Sequence, residues 1–281
     1  MAKTKYSDFK AEVLSTGGYR THAENRAPKR MKPCALATFL QAYSVLRSFF
    51  LCAVYEAIGR LTFKRWTEDF CFGTVTIPES RLGMNVILEG FAERAAYKGP
   101  VLYLCNHLSS TETILLPSVF SCFGTFSYVA KESLSRLPFL GEAARHMRMV
   151  PVGRVSPRED LMTVLKVGVE RIQGGDSFLI FPQGTRDRVF SRRKYSSIGA
   201  KLAERAGCPV VPLVVDTRSQ TRRDSGFLSK LFRDFGPTDT SRDIRVACGP
   251  VIPAGKAKDL HEQAFDWMAG KLEEWGMPTE R

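Results

Sequence analysis

Two kinds of hydrophobic pattern divide the chain. Residues 34–55 form one long apolar run, CALATFLQAYSVLRSFFLCAVY, whereas from residue 84 onward short apolar runs alternate with amphipathic stretches. The short runs MNVILEG, PVLYLCN, SFLIFPQG and CPVVPLVVD are bounded by glycine, proline or polar residues, as buried strands commonly are. Strands that alternate with helices predict an α/β fold, in which helices cover a mostly parallel sheet.

The amphipathic stretches predict three helices. SPREDLMTVLKVGVERIQGG starts at the N-cap Ser156, with Glu159 as its capping-box acid, and SSIGAKLAERAG is closed by Gly207. Residues 216–243 are loop-like and basic and include the short amphipathic piece GFLSKLFRDFG. The C-terminal stretch KDLHEQAFDWMAGKLEEWG predicts an amphipathic helix whose apolar face packs on the core through Ala264, Met268, Leu272 and Trp275.

The apolar run at residues 34–55 allows three interpretations. Its length is close to the roughly 20 apolar residues that span a bilayer, but Arg47 interrupts it near the middle and penalises a simple span. Basic residues flank it on both sides, which favours one helix or a helix pair lying in the membrane interface. A soluble helix packed on the main domain is the third interpretation.

These patterns divide the chain into three parts. Residues 1–33 are polar and basic and predict a mobile arm, and no signal peptide fits there because the apolar stretch starts too late. Residues 34–66 form the apolar, membrane-associating helical segment. Residues 67–281 form the α/β domain, which ends in the amphipathic helix.

The net charge indicates the class of partner, and the cysteine and histidine patterns bear on disulfides and metal sites. The 281 residues carry a formal net charge of +12, which indicates an anionic partner such as nucleic acid, an anionic membrane surface or a phosphorylated substrate. No nucleic-acid-binding module is recognisable, so we expect no nucleic acid partner. The seven cysteines form no C-x-x-C pair and the four histidines are scattered, which predicts reduced thiols and no metal site.

The stretch YLCNHLSSTETILL carries the first candidate for chemistry. His107 follows a buried strand, and Ser109 or Ser110 is a plausible N-cap for the next helix. Glu112 then falls in the first helical turn, where its carboxylate could accept a hydrogen bond from the imidazole and orient a general base. The spacing alone leaves two interpretations open. His107 and Glu112 are either a catalytic pair, or a loop histidine beside an acid that caps the helix.

Three further blocks follow downstream. MVPVGR ends at Arg154 just before a helix, FLIFPQGTRD places Gly184 and Arg186 directly after a buried strand, and PVVPLVV carries Pro212 within an apolar run. An arginine beside a glycine at a strand end suits a phosphate, because the guanidinium pairs two oxygens and glycine lets backbone N–H groups approach.

Together the blocks resemble the glycerolipid acyltransferase family over roughly residues 84–215. The family pattern N-H-x4-D is matched at Asn106-His107 with Glu112 as the acid, and the pattern F-P-E-G-T-R is matched by FPQGTR. The block ending in G-R and the proline in an apolar strand are also present. The residues that support the motifs are Asn106, Gly153, Phe181, Pro182, Gln183 and Pro212.

The resemblance implies a role for each matched residue. His107 would be the base that takes the proton from the acceptor hydroxyl, and Glu112 would orient it. The phosphate of the acceptor would be bound by Arg154, Gly184, Thr185 and Arg186. The resemblance implies no cofactor, a buried tunnel for the acyl chain, and acyl-CoA or acyl-carrier protein as donor and co-substrate. Direct attack without an acyl-enzyme also fits the absence of a G-x-S-x-G motif from the sequence.

Two positions depart from the family pattern. Glu112 replaces the usual aspartate, and the extra methylene still allows the hydrogen bond to His107. Gln183 replaces the usual glutamate of the third block, which keeps hydrogen bonding but removes a negative charge.

We therefore expect an O-acyltransferase associated with the cytoplasmic face of a membrane. The expected acceptor is the lysophospholipid 1-acylglycerol-3-phosphate, which gives phosphatidate in phospholipid biosynthesis. Alternatives with the same chemistry are glycerol-3-phosphate, another lysophospholipid or a lyso-ornithine lipid as acceptor. An alternative of another class is a non-catalytic lipid-binding protein on the same fold.

Overall fold

The apolar runs of the sequence form the strands of one large sheet. The computed structural model describes residues 3–28, 34–135, 144–153, 155–221 and 236–281. Within them, eight strands form a single sheet and two short strands pair separately. The strands are β1 Tyr19–Arg20, β2 Val86–Glu89, β3 Leu102–Cys105, β4 Phe126–Lys131, β5 Met149–Val152, β6 Ser177–Ile180, β7 Phe190–Ser191, β8 Val210–Asp216, β9 Ile244–Cys248 and β10 Thr279–Glu280.

The large sheet is mostly parallel, as the sequence predicts. Its strand order is β1-β2-β9-β8-β3-β6-β4-β5, and only the β1–β2 and β8–β9 pairs are antiparallel. Strand β3 lies between β6 and β8 and runs parallel to both. The carboxyl ends of these three strands therefore meet at one edge of the sheet, where α/β proteins commonly place their sites.

Helices cover both faces of this sheet. Side chains of α1, α2 and α5 pack on one face, and side chains of α7, α8 and α9 pack on the other, so that the core has two layers. Two π-helical segments, Arg65–Cys71 and Pro78–Leu82, flank α3. The helices are α1 Tyr6–Thr16, α2 Cys34–Ala57, α3 Gly73–Ile77, α4 Ala92–Ala96, α5 Thr111–Phe120, α6 Glu132–Ser135, α7 Pro157–Gln173, α8 Ile198–Ala206 and α9 Ala257–Glu274.

Helices α7 and α8 form with the predicted caps. The Ser156 side chain accepts a hydrogen bond from the Glu159 N–H at the start of α7, and Gly207 closes α8 at a φ of 65°. Helix α9 buries the predicted apolar face against the core. Residues 222–235, which hold most of the piece GFLSKLFRDFG, lie outside the described residues.

The prediction of a mobile arm is wrong for residues 3–28. Phe9 and Val13 on α1 are fully buried, and β1 pairs with β2 at the edge of the sheet. The buried carboxylate of Glu79 accepts hydrogen bonds from Tyr19 Oη at 2.6 Å and from Thr21 Oγ1 at 2.7 Å. This segment is therefore a folded part of the α/β domain.

The apolar run folds as one helix, α2. Its residues Ala35–Ala57 are long and apolar enough to cross a membrane, by length and composition only. The helix packs against the π-helical segments, α3 and α5, so one of its faces is covered by the domain. Arg47 lies on that side, where its Nη1 is 3.4 Å from the Phe70 carbonyl oxygen.

Candidate active site

The candidate base lies where the central strand β3 ends. His107 follows β3 by two residues, and α5 begins four residues later, which puts Glu112 in its first turn as predicted. His107 Nδ1 is 2.9 Å from Glu112 Oε1. The histidine side chain is 14% exposed and Glu112 is fully buried, so the imidazole alone offers an accessible edge.

Asn106 fixes the backbone immediately before the histidine. Its side-chain Nδ2 donates to the Val215 carbonyl oxygen at 3.0 Å, and its Oδ1 accepts from the Val215 N–H at 2.7 Å. The carboxamide thus pairs with β8 as a peptide group would, although the β3 backbone has already left the ladder. The backbone can therefore turn towards α5 at His107 while Asn106 stays anchored to β8.

The carboxylate of Glu112 is surrounded by hydrogen-bond donors. Its Oε1 accepts from the N–H groups of Leu108 and Ser109, each at 2.6 Å, in addition to His107 Nδ1. Its Oε2 lies 2.6 Å from Ser109 Oγ and 2.8 Å from Thr217 Oγ1. Burial would raise the pKa of this carboxyl, but the hydrogen bonds from His107 and Ser109 more than offset it and lower the pKa.

An ionised Glu112 determines the tautomer of the histidine. A carboxylate only accepts hydrogen bonds, so His107 Nδ1 carries the proton in the contact with Oε1. In the neutral ring Nε2 is then unprotonated and can take a proton from a bound hydroxyl group. The buried negative charge would stabilise the imidazolium that forms.

Phe181 packs on the imidazole from the neighbouring strand end. The two ring centroids are 4.3 Å apart with an interplanar angle of 21°. The Asp187 N–H also donates to the His107 carbonyl oxygen at 2.9 Å. The segment after β6 therefore holds the histidine from a second side.

That segment turns sharply between Phe181 and Arg186. The Gly184 N–H donates to the Phe181 carbonyl oxygen at 2.9 Å, and Gly184 has a φ of 67°, in the left-handed region that favours glycine. Arg186 Nη1 donates to Ser110 Oγ at 2.9 Å, next to the start of α5. Gly184, Thr185 and Arg186 are all exposed, so this motif presents a glycine and a guanidinium to solvent beside the His107–Glu112 pair.

The other motif residues have structural contacts. Gln183 Nε2 donates to the Val189 carbonyl oxygen at 2.9 Å, and the Pro182 carbonyl oxygen accepts from the Ser196 N–H. Pro212 lies in β8 opposite Leu104 of β3. The Gly153 N–H donates to Asp160 Oδ1 at 3.0 Å. Arg154, the other predicted phosphate ligand, lies outside the described residues.

Cys105 is part of the hydrophobic core. It is fully buried in the core, and burial raises the pKa of its thiol, with the nearby Glu112 charge adding to the effect. A thiol held protonated inside the core is a poor nucleophile. Over the part of the chain that the structure covers, no group of three His, Cys, Asp or Glu residues could hold a metal ion.

Sequence reasoning missed a layer of polar residues behind Glu112. Ser109 and Thr217 contact its carboxylate directly. Thr111 accepts from Gln41 Nε2 at 3.2 Å through its hydroxyl oxygen and donates to Gln220 Oε1 at 2.8 Å. A rule could have found Thr217, because it follows the strand that carries Pro212 and strand ends of a parallel sheet share one edge. Nothing local in the sequence indicates Gln41 or Gln220.

Comparison with known proteins identifies the family. The sequence profile of the family described as Acyltransferase matches residues 86–216. A 1-acyl-sn-glycerol-3-phosphate acyltransferase from Pseudomonas aeruginosa is 31% identical over 232 residues, which cover 81% of this chain and 83% of the relative. The protein of the same name from Borreliella burgdorferi is 29% identical over 133 residues, or 47% of this chain and 52% of that one.

A solved structure agrees on the fold. The crystal structure of the 1-acyl-sn-glycerophosphate (LPA) acyltransferase PlsC from Thermotoga maritima superposes with a TM-score of 0.59 at 17% identity, covering 86% of this chain and 95% of that chain. The chain belongs to the glycerolipid acyltransferase family. It is therefore an acyltransferase enzyme, of a family that normally needs no cofactor.

Proposed function

We propose that the protein transfers a fatty acyl group from a thioester to the free hydroxyl of 1-acyl-sn-glycerol-3-phosphate, giving phosphatidate. The observation that carries this proposal is the fully buried Glu112 carboxylate, which accepts the His107 Nδ1–H and leaves Nε2 as a base. The acceptor is inferred from the relatives, which are named 1-acyl-sn-glycerol-3-phosphate acyltransferases. Acyl-CoA and acyl-carrier protein are the two proposed donors.

In this mechanism the acceptor oxygen attacks the thioester carbonyl carbon directly. His107 Nε2 removes the hydroxyl proton as the new C–O bond forms, and Glu112 stabilises the resulting imidazolium. The tetrahedral intermediate then collapses, the C–S bond breaks, and the sulfur leaves with the electron pair. The imidazolium returns its proton to the departing sulfur, so the enzyme ends in its starting state.

The acceptor phosphate would bind at the turn that follows β6. Arg186 lies beside Ser110 at the start of α5, so a phosphate paired with its guanidinium would lie close to the His107–Glu112 pair. Gly184 presents its backbone without a side chain, and Thr185 adds a hydroxyl. Arg154 is proposed as the second cation on the phosphate from the sequence motif alone.

Helix α2 supports contact with a membrane at its outward face. The residues buried against the domain include Gln41, Ser44 and Ser48, each at most 1% exposed. Apolar residues of α2, such as Val45 and Cys52, are buried there as well. The outward face is nevertheless apolar, whereas a water-soluble amphipathic helix exposes polar residues. The exposed large side chains recur at intervals of three or four residues: Leu36, Phe39, Tyr43, Leu46, Phe50 and Val54.

We therefore propose that these exposed apolar side chains of α2 enter the lipid of an anionic membrane, and that the protein lies on the cytoplasmic face of that membrane. The net charge of +12 favours such a surface, because clustered lysines and arginines are attracted to anionic headgroups. Sedimentation with phosphatidylglycerol vesicles tests this. Phe39→Ser with Phe50→Ser should weaken binding, whereas Leu14→Ser, at an exposed apolar site on α1, should not. Equal binding by both variants would refute the proposed lipid face.

A transfer assay tests the reaction. Purified protein with radiolabelled acyl-CoA or acyl-carrier protein and 1-acylglycerol-3-phosphate should give labelled phosphatidate, and His107→Ala should abolish it. Parallel assays with glycerol-3-phosphate and lyso-ornithine lipid show which acceptor receives the acyl group. Transfer that survives His107→Ala would refute the mechanism, and lipid binding without turnover of any donor would favour a binding protein.

A further inference from the structure

Thr217 contacts the candidate orienting carboxylate from a remote part of the chain. It follows β8 directly, and its Oγ1 lies 2.8 Å from Glu112 Oε2 and 2.9 Å from Ser109 Oγ. The residue is fully buried, so it has no route to a bound substrate. Any effect of its hydroxyl on acyl transfer must therefore act through the residues that it touches.

The two carboxylate oxygens of Glu112 contact different side chains. Oε1 accepts the His107 Nδ1–H, and Oε2 takes the side-chain hydroxyls of Thr217 and Ser109. The carboxylate plane is thus defined by contacts at both ends. The N–H groups of Leu108 and Ser109 also hold Oε1, so loss of the Thr217 contact would leave Oε1 near its place but loosen the plane of the carboxylate, and with it the direction in which Oε1 faces the imidazole.

We propose that Thr217 is a positioning residue for the acyl transfer, and that it is the reason why this chain carries glutamate at position 112. The glutamate side chain spans the gap between His107 on one side and Thr217 on the other. An aspartate would withdraw the carboxylate by about 1.5 Å, one carbon–carbon bond, and could not keep both contacts at these distances.

Removal of the Thr217 hydroxyl should lower kcat more than it changes KM. The rate should fall, because hydrogen bonds to a charged group are the strong ones and this one holds the orienter in place. Substrate binding should change less, because the fully buried Thr217 does not touch the substrate.

The inference rests on the proposed acyl transfer, so the test includes wild type and His107→Ala. Thr217→Val keeps the volume and removes the hydroxyl, Thr217→Ala removes it without steric risk, and Thr217→Ser retains it. Thr74→Val is the matched control, because Thr74 is equally buried but its hydroxyl donates only to the Cys71 carbonyl oxygen. Each variant is assayed for kcat, KM and thermal unfolding, so that a loss of turnover is separated from a loss of binding or of folding.

We expect Thr217→Val and Thr217→Ala to lower kcat roughly tenfold or more, with a smaller change in KM. Thr217→Ser should stay within about twofold of wild type, and Thr74→Val should keep the wild-type kcat and KM.

A double-mutant cycle with Glu112→Asp then decides whether Thr217 acts through the carboxylate. If it does, Thr217→Val should cost little in the Glu112→Asp background, because the shorter side chain has already lost one of the two contacts. Equal losses in both backgrounds, or a Thr217→Ala variant as active as wild type, would overturn the inference. A wild-type protein inactive with every donor and acceptor would instead refute the proposed function.

Discussion

Replacing Glu112 by glutamine isolates the charge of the carboxylate from its shape. Glutamine has the same length, and its carbonyl oxygen can keep the three donors that surround Oε1. The amide nitrogen would face the hydroxyls of Ser109 and Thr217, which can rotate to accept instead of donate. We therefore expect Glu112→Gln to fold normally and to lose only the stabilisation of the charged imidazole.

The magnitude follows from the contact between the two groups. With 2.9 Å between Nδ1 and Oε1, the centres of the two charges lie about 4 Å apart, and an effective dielectric constant of about 20 gives about 4 kcal/mol. Since each 1.36 kcal/mol is tenfold in rate, kcat should fall by about a thousandfold. The measurement is acyl transfer to 1-acylglycerol-3-phosphate under saturating donor.

A buried carboxylate elsewhere provides the control. Glu79 also accepts side-chain hydroxyl donors, but they belong to Thr4, Tyr19 and Thr21. Glu79→Gln should alter the unfolding temperature without altering kcat. A loss of less than tenfold for Glu112→Gln, with the protein folded, would show that the charge of Glu112 does not stabilise the transition state.

Three further predictions concern stability and the thiol. Asn106→Ala leaves the N–H and carbonyl groups of Val215 unpaired in the core and should cost about 2–5 kcal/mol in urea unfolding, whereas an unchanged midpoint would show that the pairing is dispensable. Cys105→Ala should retain most of the transfer activity, and its inactivation in a folded protein would favour an acyl-cysteine intermediate. Burial raises the pKa of Glu79, so the native state binds its proton more tightly than the unfolded chain, and the free energy of unfolding should fall as pH rises above about 4.5. Glu79→Gln should remove that slope, which urea titrations at several pH values can measure.

The sequence predicted the elements that depend on local patterns. The helix after Ser156 formed because its cap, first turn and apolar face all agree, and the strand before His107 formed because its apolar run is bounded by Gly99-Pro100 and Asn106. The proximity of His107 and Glu112 followed from the short loop that leads from the end of β3 into the first turn of α5. These features need no knowledge of the remainder of the chain.

The features that were missed depend on contacts between distant residues. Helix α1 offers only Phe9 and Val13 as deeply buried residues, and Phe72, on which Phe9 packs, is remote in the sequence, so the segment has the composition of a polar arm. Thr217 becomes relevant only because β8 lies beside β3 in the sheet. Strand order is a global property, and a single sequence without homologues does not encode it in any local pattern.

The pairing of β1 with β2 sets a topological limit on helix α2. Residues 19–21, which precede α2 in the chain, pack on the sheet edge, where the Thr21 N–H donates to the Val86 carbonyl oxygen, and the residues after α2 form the π-helical segments of the same folded body. Both ends of α2 are therefore held on one side of any bilayer that the helix enters. A single crossing would require that pairing to break. If α2 contacts lipid as proposed, the folded protein would therefore reach one leaflet, and the other leaflet would remain beyond its contact.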